Sequence, residues 1–156
     1  MTIIDDYLKL QEEQVKRFNE TTLLFMQVGH FFEAYAVDNE HEKSNADNVY
    51  RVADILNIQV TRKNKNIQEN SRGNPIMIGV NLFSIEKHTG ILMDAGYTLV
   101  LMEQVGEPPN HTREITRVYS PGTYLPVKTI GGAQSNYLLS VFLETIPGDN
   151  SRRMKN

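Results

Sequence analysis

Strand-length apolar runs alternate with helix-length amphipathic segments along most of this chain. That alternation limits it to a sheet with helices packed against it. Residues 3–18 place Ile4, Tyr7, Leu8, Val15 and Phe18 on one helical face and Lys9, Glu12, Glu13, Lys16 and Arg17 on the other, with Thr2 and Asp5 forming the N-cap. Thr22–Val28 is a near-continuous apolar run of strand length; Gly29 interrupts it, and Phe31–Tyr35 resumes in extended character. The pattern then predicts a helix over 38–57, a short strand over 58–61, a polar Asn-rich loop from Arg62 to Asn74 and a strand over 75–80. A helix beginning at Phe83 or Ser84 ends at Gly96, a strand follows over 97–102, a loop over 106–110, and a charged, β-branched strand over 113–119. The expected fold class is α/β (α+β), a mixed β-sheet with helices packed around it.

The chain has 156 residues, 40% apolar and 22% charged, enough for one packed domain and the beginning of another. The texture changes after Thr123. A domain is expected over 1–123, and 124–156 reads as a linker and the truncated start of a second domain, with a strand over 137–144. The absence of cysteine excludes a disulfide framework, a cysteine zinc site and thiol catalysis. No apolar run approaches the roughly 18 residues that cross a membrane. The acidic start Thr2–Asp6 carries no basic n-region, so an intracellular protein is expected. Sixteen basic against nineteen acidic residues give a net charge of −3, so any DNA contact must be local.

No catalytic or metal-binding residues can be assigned. His30, His41, His88 and His111 are scattered, without a second ligand at metal-binding spacing. There is neither a phosphate-binding Gly-rich loop ending in Lys-Ser/Thr nor a Gly-x-Ser-x-Gly elbow. A metal-dependent nuclease would need an acid followed by acid-x-Lys; Asp94 and Glu103 approximate this, but position 105 is Val. Glu103 reads better as a hydrogen-bonding group at a strand end.

The unusual place is Gly29–Tyr35, where a glycine breaks a strand and two phenylalanines and a carboxylate follow. Alternation puts Phe31 and Glu33 on one face and Phe32 on the other. These are either ordinary strand residues with one phenylalanine in the core, or an aromatic wedge with a polar partner of the kind that opens base steps from the minor groove. The loop beginning at Arg62 carries Arg62, Lys63, Lys65 and Arg72 against Glu69, a local charge of +3. It is either a solvated loop or a set of phosphate contacts beside the wedge.

Five segments, taken in order, resemble the N-terminal mismatch-recognition domain of the MutS family of DNA mismatch repair proteins. Leu23–Glu33 resembles the stretch carrying its Phe-x-Glu motif. Leu56–Lys63, Pro75–Val80, Asp94–Tyr97 with Glu103–Val105, and Arg113–Thr123 resemble the segments that follow it. The likeness covers roughly residues 5–123, and 136–144 resembles the opening of the family's connector domain. His30 stands where the family usually has Asp, and Asn81-Leu82-Phe83-Ser84 where it commonly has Pro and an aromatic-His pair. These departures suggest a divergent branch, similar to the MutS proteins of giant viruses and of some coral mitochondria.

The resemblance implies the fold of MutS domain I and a dimeric protein that binds mismatched or looped double-stranded DNA. Phe31 would be the wedge and Glu33 the contact to the displaced base. It implies that this chain is not itself an enzyme and holds no cofactor; ATP and magnesium would belong to an ATPase domain elsewhere in the longer protein, as would the dimer contact. Nucleus, mitochondrion, viral factory and bacterial cytoplasm all stay open. Two other functions also remain at this stage: a metal-dependent nuclease domain, and a protein-interaction module that kept the fold and lost DNA binding.

Overall fold

The computed structural model of the chain describes residues 2–107, 109–125 and 139–143. In chain order the elements are α1 (Ile3–Arg17), β1 (Thr22–Val28), β2 (Phe31–Asp38), β3 (Lys43–Ser44), α2 (Ala46–Leu56), β4 (Thr61–Arg62), β5 (Ile76–Asn81), α3 (Ile85–Asp94), β6 (Thr98–Val105) and β7 (Thr112–Tyr119). A turn of 3-10 helix, Leu82–Ser84, leads into α3. The strands form one seven-stranded sheet in the order β4-β5-β2-β1-β6-β7, with the short β3 paired to the far end of β2. β1 and β6 run parallel and the other pairs are antiparallel, so the sheet is mixed, as the sequence implied.

Local chemistry explains the element ends. Thr2 and Asp5 form a reciprocal capping box at the start of α1. α3 closes at Gly96 (φ +82°), where Gly96 N–H donates to Met93 and Tyr97 N–H to Leu92, turning the chain directly into β6. The helix expected over 38–57 starts only at Ala46. The Asn39 side chain accepts from the N–H groups of His41 and Glu42 and holds 39–42 in a turn, which delivers β3 before the helix begins. The strand expected over 58–61 is displaced to β4 at Thr61–Arg62. Within the strand expected over 137–144, residues 139–143 form no strand; the other positions, like most of 124–156, lie outside the described residues.

Helix α1 does more than cover the sheet. β1 pairs with β2 only through Met26–Val28, and below that point the two strands part. The backbone groups of β1 that face the gap are met by side chains from the helix. Gln11 donates to the Thr22 carbonyl at 2.8 Å and accepts from Leu24 N–H at 2.7 Å, and Tyr7 donates to the Leu24 carbonyl at 2.8 Å. Asn45 donates across the gap to the Tyr35 carbonyl. The buried Gln11 and Gln14 thus take places on α1 that the apolar pattern gave to Val15 and Phe18. Burial without partners would make these polar groups costly; Gln11 is matched at both ends of its amide, whereas the buried Gln14 Oε1 has no hydrogen-bond partner among the described residues.

Candidate nucleic-acid interface

β1 and β2 form a hairpin whose two-residue turn is Gly29-His30, with Val28 opposite Phe31. Gly29 adopts φ +58° at the first turn position, a conformation that disfavours any side chain. The adjoining His30 carbonyl accepts from Leu82 N–H, tying the tip to the end of β5. Phe31 is the first residue after the turn and is 48% exposed, whereas Phe32 is 0% exposed in the core. The pleat of the strand separates the two rings, as expected from sequence.

Register shows what shares a face with Phe31. Glu33 stands between Met26 on β1 and Gly79 on β5; Met26 is level with Met102 on β6, and Met102 with Ile115 on β7. Glu33 is half-buried, and Tyr35, two residues further on, donates its phenol proton to the Glu33 carboxylate. Arg113, two residues from Ile115, lies on the same face, and its charge reaches the Tyr35 phenol. Burial, followed by the hydrogen bond to Glu33, pushes that phenol well above its ordinary value. Arg113 is a cation on the Phe31 face that sequence reasoning did not select, because nothing local tells which strand ends beside the hairpin.

Phe83 is a further exposed aromatic residue that sequence reasoning did not single out. Its N–H is held by the Asn81 side chain, and its ring is 94% exposed two residues beyond the position opposite Phe31. The only sequence signal was the departure from the family pattern at Asn81–Ser84.

The basic loop is not beside Phe31. Arg62 pairs with Ile76, and Ile76 with Ala36, five residues along β2 from Phe31, or about 17 Å. The four cations also divide. Arg62 shares the register row of Ala36, on the face opposite Phe31, and donates to the Gln68 carbonyl at 2.9 Å. Lys63 and Lys65 are exposed and, among the described residues, form no ion pair. Lys63 N–H bonds to the Pro75 carbonyl and extends the β4–β5 pairing, so alternation returns Lys63 to the Phe31 face. Arg72 is engaged internally, reaching Asp5 at 2.9 Å and Glu42 at 2.8 Å. Glu42 is held below its ordinary value first by Arg72 and then by Ser44; Asp5 is held low first by the Thr2 backbone and then by Arg72.

Glu103 is a paired group. Partial burial opposes its ionisation, but Thr116 and Arg117 outweigh burial and hold the carboxyl below its ordinary value; Arg117 lies 2.6 Å away. No helix among the described residues is long and apolar enough to cross a membrane.

Comparison with known proteins gives the same answer as the motifs. The family model described as MutS domain I matches residues 7–128. A MutS homolog of Acanthamoeba polyphaga mimivirus, named as a DNA mismatch repair protein, is 36% identical over 143 residues, covering 91% of this chain and 12% of its own length. DNA mismatch repair protein MutS 1 of Haloarcula marismortui is 32% identical over 143 residues, again covering 91% of this chain, and 13% of its own. MutS of Petrotoga mobilis is 30% identical over 127 residues, 79% of this chain and 13% of its own. The chain thus spans about an eighth of the length of these relatives, and it belongs to the MutS domain I family.

Proposed function

We propose that this chain recognises mispaired or looped duplex DNA in mismatch repair, with Phe31 as the wedge and Glu33 as the base contact. The observation that carries this reading is the contrast at the hairpin tip: of two adjacent phenylalanines one is fully buried, and the other is half-exposed on the face of a half-buried carboxylate. An aromatic ring held out from a rigid turn suits insertion between bases. Unstacking a step costs a few kcal/mol, and least where pairing is already poor. Stacking on an aromatic ring returns about 1–3 kcal/mol. The balance is near zero at a mismatch and unfavourable at a sound pair, and that difference discriminates without reading sequence.

The charges suit a duplex laid along β2. The ~17 Å between Phe31 and the loop equals about five base-pair steps along the duplex axis, so Lys63, on the Phe31 face, lies within reach of the duplex that Phe31 enters, while Lys65 lines the same pocket as Arg62. Arg113 supplies a cation close to the tip. ATP, magnesium and the dimer contact would belong to other domains of a longer MutS protein.

The test is binding to mismatched and matched duplexes of the same sequence by the full-length protein carrying this chain, with and without Phe31→Ala. A preference for the mismatch that disappears in the folded variant supports the reading. DNA cleavage with magnesium or manganese, abolished by one acidic substitution, would replace it with a nuclease. Absence of DNA binding at low salt would leave a protein-interaction module.

A further inference from the structure

Glu33 is a flexible side chain in a place where its task demands direction. Its cross-strand neighbours are Met26 and Gly79, neither of which offers a side-chain donor. Among the described residues the one side-chain group that donates to Glu33 is the Tyr35 hydroxyl, and it reaches one carboxylate oxygen, Oε2. Tyr35 is itself fixed. It is 5% exposed, and Tyr7 meets it edge to face, with ring centroids 5.2 Å apart and planes at 81°. Tyr7 is anchored in turn by its hydroxyl on the Leu24 carbonyl, and Asn45 holds the Tyr35 carbonyl. A chain of rigid contacts therefore runs from the core through two tyrosines to the carboxylate beside Phe31.

From this geometry we infer that Tyr35 is the positioning residue of the recognition pair: it fixes the Glu33 carboxylate through Oε2 and leaves Oε1 directed to the displaced base. The inference rests on the base-contacting role of Glu33 proposed above. A glutamate that must be ordered when DNA arrives loses side-chain freedom at that moment, and one already held does not. Ordering one such side chain is worth roughly 2- to 12-fold in affinity. The effect falls only on complexes in which Glu33 meets a base, so Tyr35 sharpens discrimination and leaves general DNA affinity alone.

Tyr35→Phe removes the hydroxyl and keeps the ring against Tyr7. In the full-length protein carrying this chain, Tyr35→Phe, Glu33→Ala, the double variant and Phe31→Ala are compared for mismatched and matched duplex affinity, with melting temperature as the check on folding. The expected result is a fall of roughly 2- to 12-fold in the mismatched-to-matched ratio for Tyr35→Phe, with matched-duplex affinity unchanged. On the Glu33→Ala background the same change should have no further effect, because the hydroxyl then has nothing to hold. A structural role alone would lower both affinities together or persist without Glu33, and either result overturns the inference, as does an unchanged ratio for Tyr35→Phe. If Glu33→Ala leaves the ratio unchanged while Phe31→Ala removes it, the base-contact role falls and the inference with it. If neither changes it, the proposed function of the hairpin falls as well.

Discussion

Adjacent phenylalanines in this hairpin have opposite relations to the solvent, and their substitutions should separate cleanly. Phe32→Ala empties a fully buried site and should cost about 3–5 kcal/mol of stability. Phe31→Ala should leave the melting temperature nearly unchanged while lowering the mismatched-to-matched affinity ratio about 5- to 150-fold, the equivalent of the stacking term. Thermal unfolding and paired binding assays on both variants check this; an unfolded Phe31→Ala protein would show that its ring is a core element. Phe83→Ser should leave melting within about 2 °C, since a ring 94% exposed contributes little burial. The Phe31/Phe32 division was legible because strand alternation is a local rule. The exposure of Phe83 was not, because it depends on the Asn81 side chain turning the chain at the end of β5. Arg113 was hidden for the same kind of reason: its place beside the hairpin depends on the parallel pairing of β1 with β6, strands remote in sequence, with β7 carried alongside β6.

Among the elements, the loop between β4 and β5 departs furthest from its sequence reading. Its polarity and turn residues announced a loop, and a loop is present, pinned by Asn74, whose side chain accepts from Asn64 N–H and donates to the Ile67 and Glu69 carbonyls. What sequence could not announce is that Arg72 closes on Asp5, 67 residues away, and on Glu42. Such a partner is invisible to any local pattern, so a cation that looked available for phosphate is engaged inside the molecule. Both carboxyls sit below their ordinary values of 3.8 and 4.5 in the folded chain. A depressed folded value means that their contribution to stability is complete above the ordinary value and is lost as pH falls through the folded one. Removing Arg72 raises the folded value of Glu42 most, since Arg72 is its first cause, while Asp5 keeps its Thr2 cap. Arg72→Ala should therefore melt below the parent by a constant margin at neutral pH, and the margin should narrow as pH drops below about 4.5. A margin that widens in acid would contradict the pairing. Helix α2 teaches the same lesson in smaller form, since its late start follows from the Asn39 turn.

Seen whole, the molecule carries −3 on a fold whose cations are dispersed, so its hold on DNA should be weak and salt-sensitive. Removing one cation that neutralises a phosphate should flatten the plot of log affinity against log salt by about 0.9. Lys63→Ala should show that change. Arg62→Ala should show less of it, because its guanidinium lies on the opposite face and is bonded to Gln68. Salt titrations of the two variants decide the matter, and equal slope changes would place both side chains on the duplex. The class of fold was legible from alternating element types, but the strand order was not, because short strands with similar apolar content can exchange neighbours without altering any local signal. The gap between β1 and β2, filled by Gln11 and Tyr7, was equally hidden. Its consequence is kinetic. The Leu24 amide is sheltered by a helix side chain, so it can exchange with deuterium only when α1 lifts away. Exchange at Leu24 and exchange along α1 should then proceed at one common rate, and the strand that feeds the Phe31 hairpin will stay rigid only as long as that helix stays docked.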